Sequence, residues 1–147
     1  MLESKGALER LAIADKNSKN FVEMIKKKYN QEKLEYVVED ETDNNTYKVV
    51  ILTKKTIEVV SGHYSSEKSN PSIEFIIDSY PIKSITGISE KYAKMPMNSP
   101  TLQDVARKVD IQLSKATITI DLTADTNTTK TQISDLDKLI TELKKQF

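Results

Sequence analysis

The first part of the chain carries a helical hydrophobic pattern. Through residues 1–33, apolar side chains recur at steps of three and four, which is the period of an amphipathic helix. The members of this stripe are Ala7, Leu11, Ala14, Phe21 and Ile25. The polar stretch 15–20 interrupts the stripe, so the pattern predicts two helical pieces or one bent helix, with the second piece from about Phe21 to Tyr29.

From Leu34 onward the apolar period shortens to two, which is typical of β-strands. About seven extended segments can be placed this way, at 34–38, 47–53, 56–61, 73–77, 82–88, 105–113 and 116–122. The last two are joined by a brief polar turn, which predicts an antiparallel hairpin with one buried face. Residues 47–53 are apolar on both faces, as expected for a central strand. Pro81 marks an edge or a bend, because proline cannot donate to a ladder.

A second helical stripe closes the chain. Its apolar members fall on one face and are Ile133, Leu136, Leu139, Ile140, Leu143 and Phe147. Ser134 supplies a capping hydroxyl and Asp137 an acidic group for the first turn, so the sequence predicts a helix from Ser134 to Phe147. Strands that bury one face need a cover, and we expect this helix to supply it.

Composition narrows the class of protein. The chain has 147 residues, within the usual range of about 100–200 residues for one domain. Lysine plus arginine equals aspartate plus glutamate at 22 each, and Arg10 and Arg107 are the only arginines. A neutral chain with so little arginine is not expected to bind nucleic acid, because arginine supplies the planar group that reads phosphates and base edges. No apolar run approaches the length of a membrane span and the start lacks the features of a secretory signal, so we expect a cytoplasmic protein.

Residues that could carry out chemistry are sparse. His63 is the only histidine, whereas a hydrolytic triad or a histidine metal site needs other groups placed beside it. The glycines Gly6, Gly62 and Gly87 are scattered, which excludes a glycine-rich phosphate loop. The acidic stretch 39–43 lacks the ligand spacing of a calcium loop. Since cysteine is absent as well, we expect no catalytic residue, no metal and no cofactor.

Two groups of residues are candidates for binding. Lys54 and Lys55 form the tip of a predicted hairpin, where they could contact anionic lipid headgroups at about 1 kcal/mol per basic residue. Phe21, Ile25 and Tyr29 belong to the second helical piece, which could pack on the strands or on a partner protein. The plain alternatives are a solvated turn for the lysines and an ordinary core stripe for the helix.

Three stretches of the chain resemble small bacterial members of the pleckstrin-homology superfold. They are the hairpin 49–59 (VVILTKKTIEV), the segment 80–88 (YPIKSITGI), and the final strand with its helix stripe of Leu136, Leu139, Ile140 and Leu143. The resemblance runs from about Tyr47 to Phe147. The superfold often carries a tryptophan in its last helix, and this chain has none.

The resemblance implies an α+β fold. In this fold a bent antiparallel β-barrel or sandwich of about seven strands is capped by a C-terminal α-helix. Residues 34–147 would form that part. Residues 1–33 would be an added N-terminal helical extension, and the two parts would pack as a single compact domain.

The function that the resemblance implies is binding without chemistry. We expect a protein-interaction module that docks on a protein partner or on a second copy, using Phe21, Ile25 and Tyr29. The alternative is a weak peripheral binder of anionic lipid headgroups through Lys54 and Lys55. A second alternative is an enzyme with an unrecognised site. Neither a nucleic acid nor a small-molecule substrate is expected.

Overall fold

The structure is a computed structural model, and it describes residues 5–13, 16–29, 34–39, 46–65, 72–94, 97–98, 105–123 and 130–146. The elements in chain order are α1 (Lys5–Ala12), α2 (Lys16–Lys28), β1 (Leu34–Glu39), β2 (Thr46–Thr53), β3 (Thr56–Tyr64), β4 (Ile73–Pro81), a short 3-10 turn (Ile82–Ser84), β5 (Ile85–Tyr92), β6 (Arg107–Leu113), β7 (Thr117–Asp121) and α3 (Lys130–Lys144). The predicted α+β class, the seven strands and the C-terminal helix are therefore confirmed. Of the residues named from the sequence, Ala14, residues 40–43 and Phe147 lie outside the described part.

The strands form two antiparallel sheets. Strands β1-β2-β3-β4 make a four-stranded sheet and β5-β6-β7 make a three-stranded sheet. The sheets are not closed into a barrel, so the barrel form of the expected fold is not what the described residues adopt. Among the described residues, no strand of one sheet is paired by backbone hydrogen bonds with a strand of the other. The 3-10 turn separates β4 from β5, and α3 contacts both β1 and β5, each of which is the first strand of its sheet.

The main core lies between the two sheets and α3. The four-stranded sheet contributes Val50, Leu52 and Ile57, and the three-stranded sheet contributes residues such as Ile111 and Ile120. Helix α3 turns its apolar stripe into this core, with Ile133, Leu136, Leu139, Ile140 and Leu143 all buried. The prediction that the last helix covers the strands is confirmed.

Helices α1 and α2 form a second core on the opposite face of the four-stranded sheet. Phe21 and Ile25 are completely buried there, together with Val49 and Ile51 of β2. Because neighbouring residues of a strand point to opposite faces, β2 is buried on both sides, as its sequence predicts. The N-terminal helices thus pack on the strands, which is one of the two arrangements left open by the sequence.

Gly62 shows how closely α2 approaches the sheet. Gly62 pairs with Tyr47 across β2 and β3, and a Cβ atom at Gly62 would lie 2.6 Å from Cδ1 of Phe21. The Phe21 ring stacks on Tyr47, with ring centroids 5.8 Å apart, and also contacts Phe75 at 5.7 Å. The absence of a side chain at Gly62 makes room for the Phe21 ring.

Several predicted boundaries are wrong. The second helical piece, predicted from about Phe21, begins at Lys16, so the polar residues 16–20 belong to α2. The strand predicted over 73–77 extends to Pro81.

Helix α3 begins at Lys130, so Ser134 lies inside the helix and does not cap it. The predicted strand 82–88 starts only at Ile85, because Ile82–Ser84 form the 3-10 turn. The bend expected at Pro81 is confirmed, since β4 ends there.

Candidate functional site: a lysine pocket

A cavity lies where two connections between strands approach the C-terminal end of α3. It is bounded by the β2–β3 turn, by the link between β4 and β5, and by the residues that follow α3. Its volume is about 580 Å³, which is within the range of ligand-binding cavities, roughly 300–1,000 Å³. The lining residues are Lys54, Lys55, Thr56, Pro81, Ile82, Lys83, Ile85 and Gln146. We call this cavity the lysine pocket.

The β2–β3 turn presents Lys54 and Lys55 because Thr53 organises its backbone. The Thr53 Oγ1 atom accepts a hydrogen bond from the Thr56 amide at 3.0 Å and lies 2.8 Å from the Thr56 hydroxyl. These contacts within the turn leave both lysine side chains exposed to solvent. The first pair of residues predicted to bind an anion is therefore accessible.

Lys83 joins these two lysines through the pairing of β3 with β4. Thr56 pairs with Pro81, and the Ile82 amide then donates to the Lys55 carbonyl at 3.0 Å. The 3-10 turn is closed by the Ser84 hydroxyl, which donates to the Pro81 carbonyl at 2.7 Å. These bonds hold Lys83 at the rim of the pocket, and its side chain is exposed.

Sequence reasoning missed Lys83. The sequence identified only Lys54 and Lys55 at this hairpin tip, because Lys83 is far from them along the chain. The register between β3 and β4 is the signal that could have identified Lys83. An antiparallel pairing of β3 with β4 that ends at Thr56 and Pro81 brings the residues just after Pro81 next to the lysine turn.

The pocket has an unbalanced positive charge. Among the described residues, no carboxylate lines the pocket, and no acceptor lies within hydrogen-bond or salt-bridge distance of the amines of Lys54, Lys55 and Lys83. The nearby lysines of the last helical turn differ, since Lys144 pairs with Glu90 at 2.9 Å and Lys145 with Glu142 at 3.2 Å. Three unpaired ammonium groups around one cavity favour an anionic ligand.

The floor of the pocket is apolar. It is made by Pro81, Ile82 and Ile85, and the two isoleucines are also part of the main core. The polar groups besides the lysines are the Thr56 hydroxyl, which donates to Glu58 at 2.8 Å, and the Gln146 amide. The pocket therefore joins a basic rim to an apolar base.

The second group of predicted binding residues lies elsewhere. Phe21 and Ile25 are buried between α2 and the four-stranded sheet, on the face opposite the main core. Tyr29 is half-buried at the end of α2, and its hydroxyl donates to Glu58. Burial and this hydrogen bond raise the pKa of Tyr29. These three side chains pack inside the protein and are not brought together with Lys54 and Lys55.

His63, the lone histidine, is exposed, and its Nδ1 atom lies 2.7 Å from the Thr46 hydroxyl. In the part of the chain that the structure describes, no three histidine, aspartate or glutamate side chains are grouped so that they could hold a metal ion. The described helices likewise include none with the length and apolar character needed to cross a membrane.

A smaller cavity of about 190 Å³ lies at the other end of the three-stranded sheet, and its lining includes Lys91, Lys94 and Lys108. It is a weaker candidate, because its volume is below the usual range of ligand cavities, roughly 300–1,000 Å³. The lysine pocket is the better site by this measure.

Comparison with known proteins adds no relative to this picture. The chain matches no protein-family model, no curated protein and no solved structure.

Proposed function

We propose that this chain is a non-catalytic binding module of the pleckstrin-homology type, and that it holds an anionic group in the lysine pocket. The fold supports the first half of the proposal. Seven antiparallel strands are divided four and three, and a C-terminal helix packs against both sheets. The strand number, the antiparallel pairing and the C-terminal helix agree with the expectation from the sequence, whereas the division into two sheets replaces the expected barrel.

The observation that carries the proposal is a set of three lysines around one cavity, none of which has an acceptor among the residues that the structure describes. At about 1 kcal/mol for each basic residue next to an anionic surface, Lys54, Lys55 and Lys83 together would contribute about 3 kcal/mol. That free energy corresponds to a dissociation constant of roughly 6 mM for a small anion. Additional contacts are needed for tighter binding.

Docking of a protein on the α2 stripe has less support. Phe21 and Ile25 would have to leave the core of the four-stranded sheet before a partner could contact them. Uncovering two completely buried aromatic or aliphatic side chains costs about 1.5–3 kcal/mol each. The lysine pocket needs no such rearrangement, because its charged groups are already exposed.

The pocket also suits binding better than catalysis. In the described part of the chain, its polar lining groups are three lysines, one threonine and one glutamine, with no histidine or carboxylate to act as a general base. We therefore assign it the retention of a ligand and no chemical step.

The proposal can be tested by titrating the protein with pyrophosphate at low salt and following backbone amide shifts by NMR. We expect the largest shifts at residues 53–56 and 82–85, which surround the pocket, with a dissociation constant in the millimolar range. The double variant Lys54→Glu, Lys55→Glu should raise that constant at least tenfold. Both side chains are exposed, so the fold should tolerate the change.

The matched control is the double variant Lys16→Glu, Lys19→Glu. It changes the net charge by the same amount on exposed positions of α2, which packs on the opposite face of the four-stranded sheet. We expect it to bind pyrophosphate like the unmodified protein. If pyrophosphate shifts no amide around the pocket, or if the two double variants bind it equally, the proposal is wrong.

A further inference from the structure

We infer that the ligand of the lysine pocket is amphiphilic: a phosphate or carboxylate attached to an aliphatic or aromatic body. This inference rests on the proposed anion binding and adds to it the class of ligand. It comes from the juxtaposition of three unpaired lysines with an apolar floor in one cavity.

The floor is built from rigid elements. Ile85 is the first residue of β5, Ile82 begins the 3-10 turn, and Pro81 ends β4. Most of the Ile82 and Ile85 side chains is buried in the main core, which fixes the position of the part that lines the pocket. A compact inorganic ion would contact only the rim and leave this apolar surface exposed to water.

The charges of the pocket orient such a ligand. Lys54, Lys55 and Lys83 lie on the two turns, whereas Gln146 follows the C-terminal end of α3. A helix C-terminus carries partial negative charge and repels an anion. The anionic group is therefore placed between the two turns, and the apolar body lies over Pro81, Ile82 and Ile85.

The size of the pocket allows both parts to be held. Its volume of about 580 Å³ is typical of cavities that bind small organic ligands through an apolar lining and a few polar groups. A small inorganic anion would fill only part of it.

The test is a series of monoalkyl phosphates that share one charged group: methyl, butyl and hexyl phosphate. Each methylene that becomes fully buried should tighten binding about fourfold. Since the pocket is open on one side, we expect a total gain of at least about tenfold from methyl to hexyl phosphate. The measurement is the dissociation constant from amide shifts of residues 82–85 in the unmodified protein.

A variant localises the gain to the floor. Ile85→Thr keeps a β-branched residue at the start of β5 but makes the floor more polar, so it should weaken hexyl phosphate several-fold and leave methyl phosphate unchanged. The matched control is Ile76→Thr, the same substitution at an exposed position of β4 that does not line the pocket. If Ile85→Thr does not fold, the alkyl series in the unmodified protein still decides.

Two sources could supply this ligand, a free amphiphile or a bilayer lipid, and vesicles containing phosphatidic acid distinguish them. Sedimentation of the protein with these vesicles, reversed by hexyl phosphate, would indicate a bilayer source. No sedimentation, together with the alkyl gain, would indicate a free ligand.

Equal affinities for methyl and hexyl phosphate would overturn the inference while leaving the proposed anion binding intact. If neither alkyl phosphate nor pyrophosphate binds, the inference and the proposed function both fail.

Discussion

Two ion-pair clusters fasten α3 to the rest of the protein, and each is built on one of the two arginines of the chain. Arg10 of α1 donates to Asp135 of α3 at 2.6 Å and to Glu39 of β1 at 3.1 Å. Arg107 of β6 donates to Asp137 of α3 at 2.7 Å and to Glu90 of β5 at 2.7 Å. The two clusters have similar distances and the same partner types, but they differ in net charge.

The difference lies in the balance of charge. The Arg10 cluster sets one cation against two carboxylates, which leaves a net charge of −1. The Arg107 cluster also contains Lys144, which pairs with Glu90 at 2.9 Å, so two cations meet two carboxylates.

The two glutamates respond in opposite directions. Burial raises the pKa of Glu39, and Arg10 offsets this only in part while Asp135 adds to it. Burial also acts to raise the pKa of Glu90, but hydrogen bonds from Lys144 and Arg107 outweigh it and lower that pKa below the ordinary value. Glu39 faces one cation and a second carboxylate, whereas Glu90 faces two cations, and this difference acts together with burial to give the opposite pKa directions.

The arginines also differ in their surroundings. Arg107 is buried, its guanidinium lies 5.1 Å from the centre of the Tyr92 ring, and its Nε atom has no acceptor among the described residues. Arg10 is about a third exposed, whereas the Asp135 and Glu39 side chains beside it are only 7% and 14% exposed. We therefore expect the cost of losing an arginine to depend on the burial of the carboxylates left behind.

The largest effect is expected for Arg10→Met. The substitution keeps an apolar stem on α1 but leaves two buried carboxylates without a cation, which should cost about 3 kcal/mol in the free energy of unfolding at neutral pH. The cost should shrink in acid, where Glu39, whose pKa is raised by burial, takes up a proton. Urea unfolding at neutral and at acid pH measures it.

The control for this prediction is Lys19→Met, which removes one positive charge from an exposed position of α2. A loss of the same size in Lys19→Met, or a cost for Arg10→Met that does not change with pH, would contradict the prediction.

Arg107→Met should have a smaller effect, about 2 kcal/mol, although Arg107 is the more buried arginine. Glu90 keeps Lys144 as a partner, and the Asp137 side chain is 37% exposed and can turn to water. Methionine can also pack against Tyr92, and the unpaired Nε atom disappears. The measurement is urea unfolding at neutral pH, and a loss larger than that of Arg10→Met would show that arginine burial is the deciding factor.

Local patterns in the sequence were enough to predict the elements of this fold. The two-residue period of 105–113 and 116–122 predicted the β6–β7 hairpin, and the stripe through Leu139 and Leu143 predicted the face of α3 that is buried. Each of these signals lies within one element, so it can be seen without knowing the pairing of strands. The predicted barrel closure was wrong because closure depends on how the two sheets meet, which no pattern within a single element shows.

Relations between distant elements were beyond the sequence. The register that pairs Thr56 with Pro81 brings Lys83 to Lys54 and Lys55, and nothing in the local pattern of either segment reveals it. The structural use of Arg10 was equally hidden, since its partner Asp135 lies 125 residues away. Lys54 and Lys55 could therefore be identified from the sequence, as a polar turn, whereas Lys83 could be added only with the pairing of β3 and β4.

The smallest effects, about 1 kcal/mol or less, are expected for the two glutamates, and they should have opposite signs. The pKa of Glu39 is raised above the ordinary value of 4.5, so its contribution to stability is complete below pH 4.5 and is lost as the pH rises through the folded-state value. Glu39→Gln, which stays neutral, should therefore match or exceed the unmodified protein in stability at neutral pH.

The pKa of Glu90 is lowered, so its contribution is present above pH 4.5 and is lost as the pH falls through the folded-state value. Glu90→Gln should thus be less stable at neutral pH, and the difference should vanish in acid. Urea unfolding across the acid-to-neutral range measures both curves, and equal losses for the two variants at neutral pH would show that charge balance does not separate the clusters.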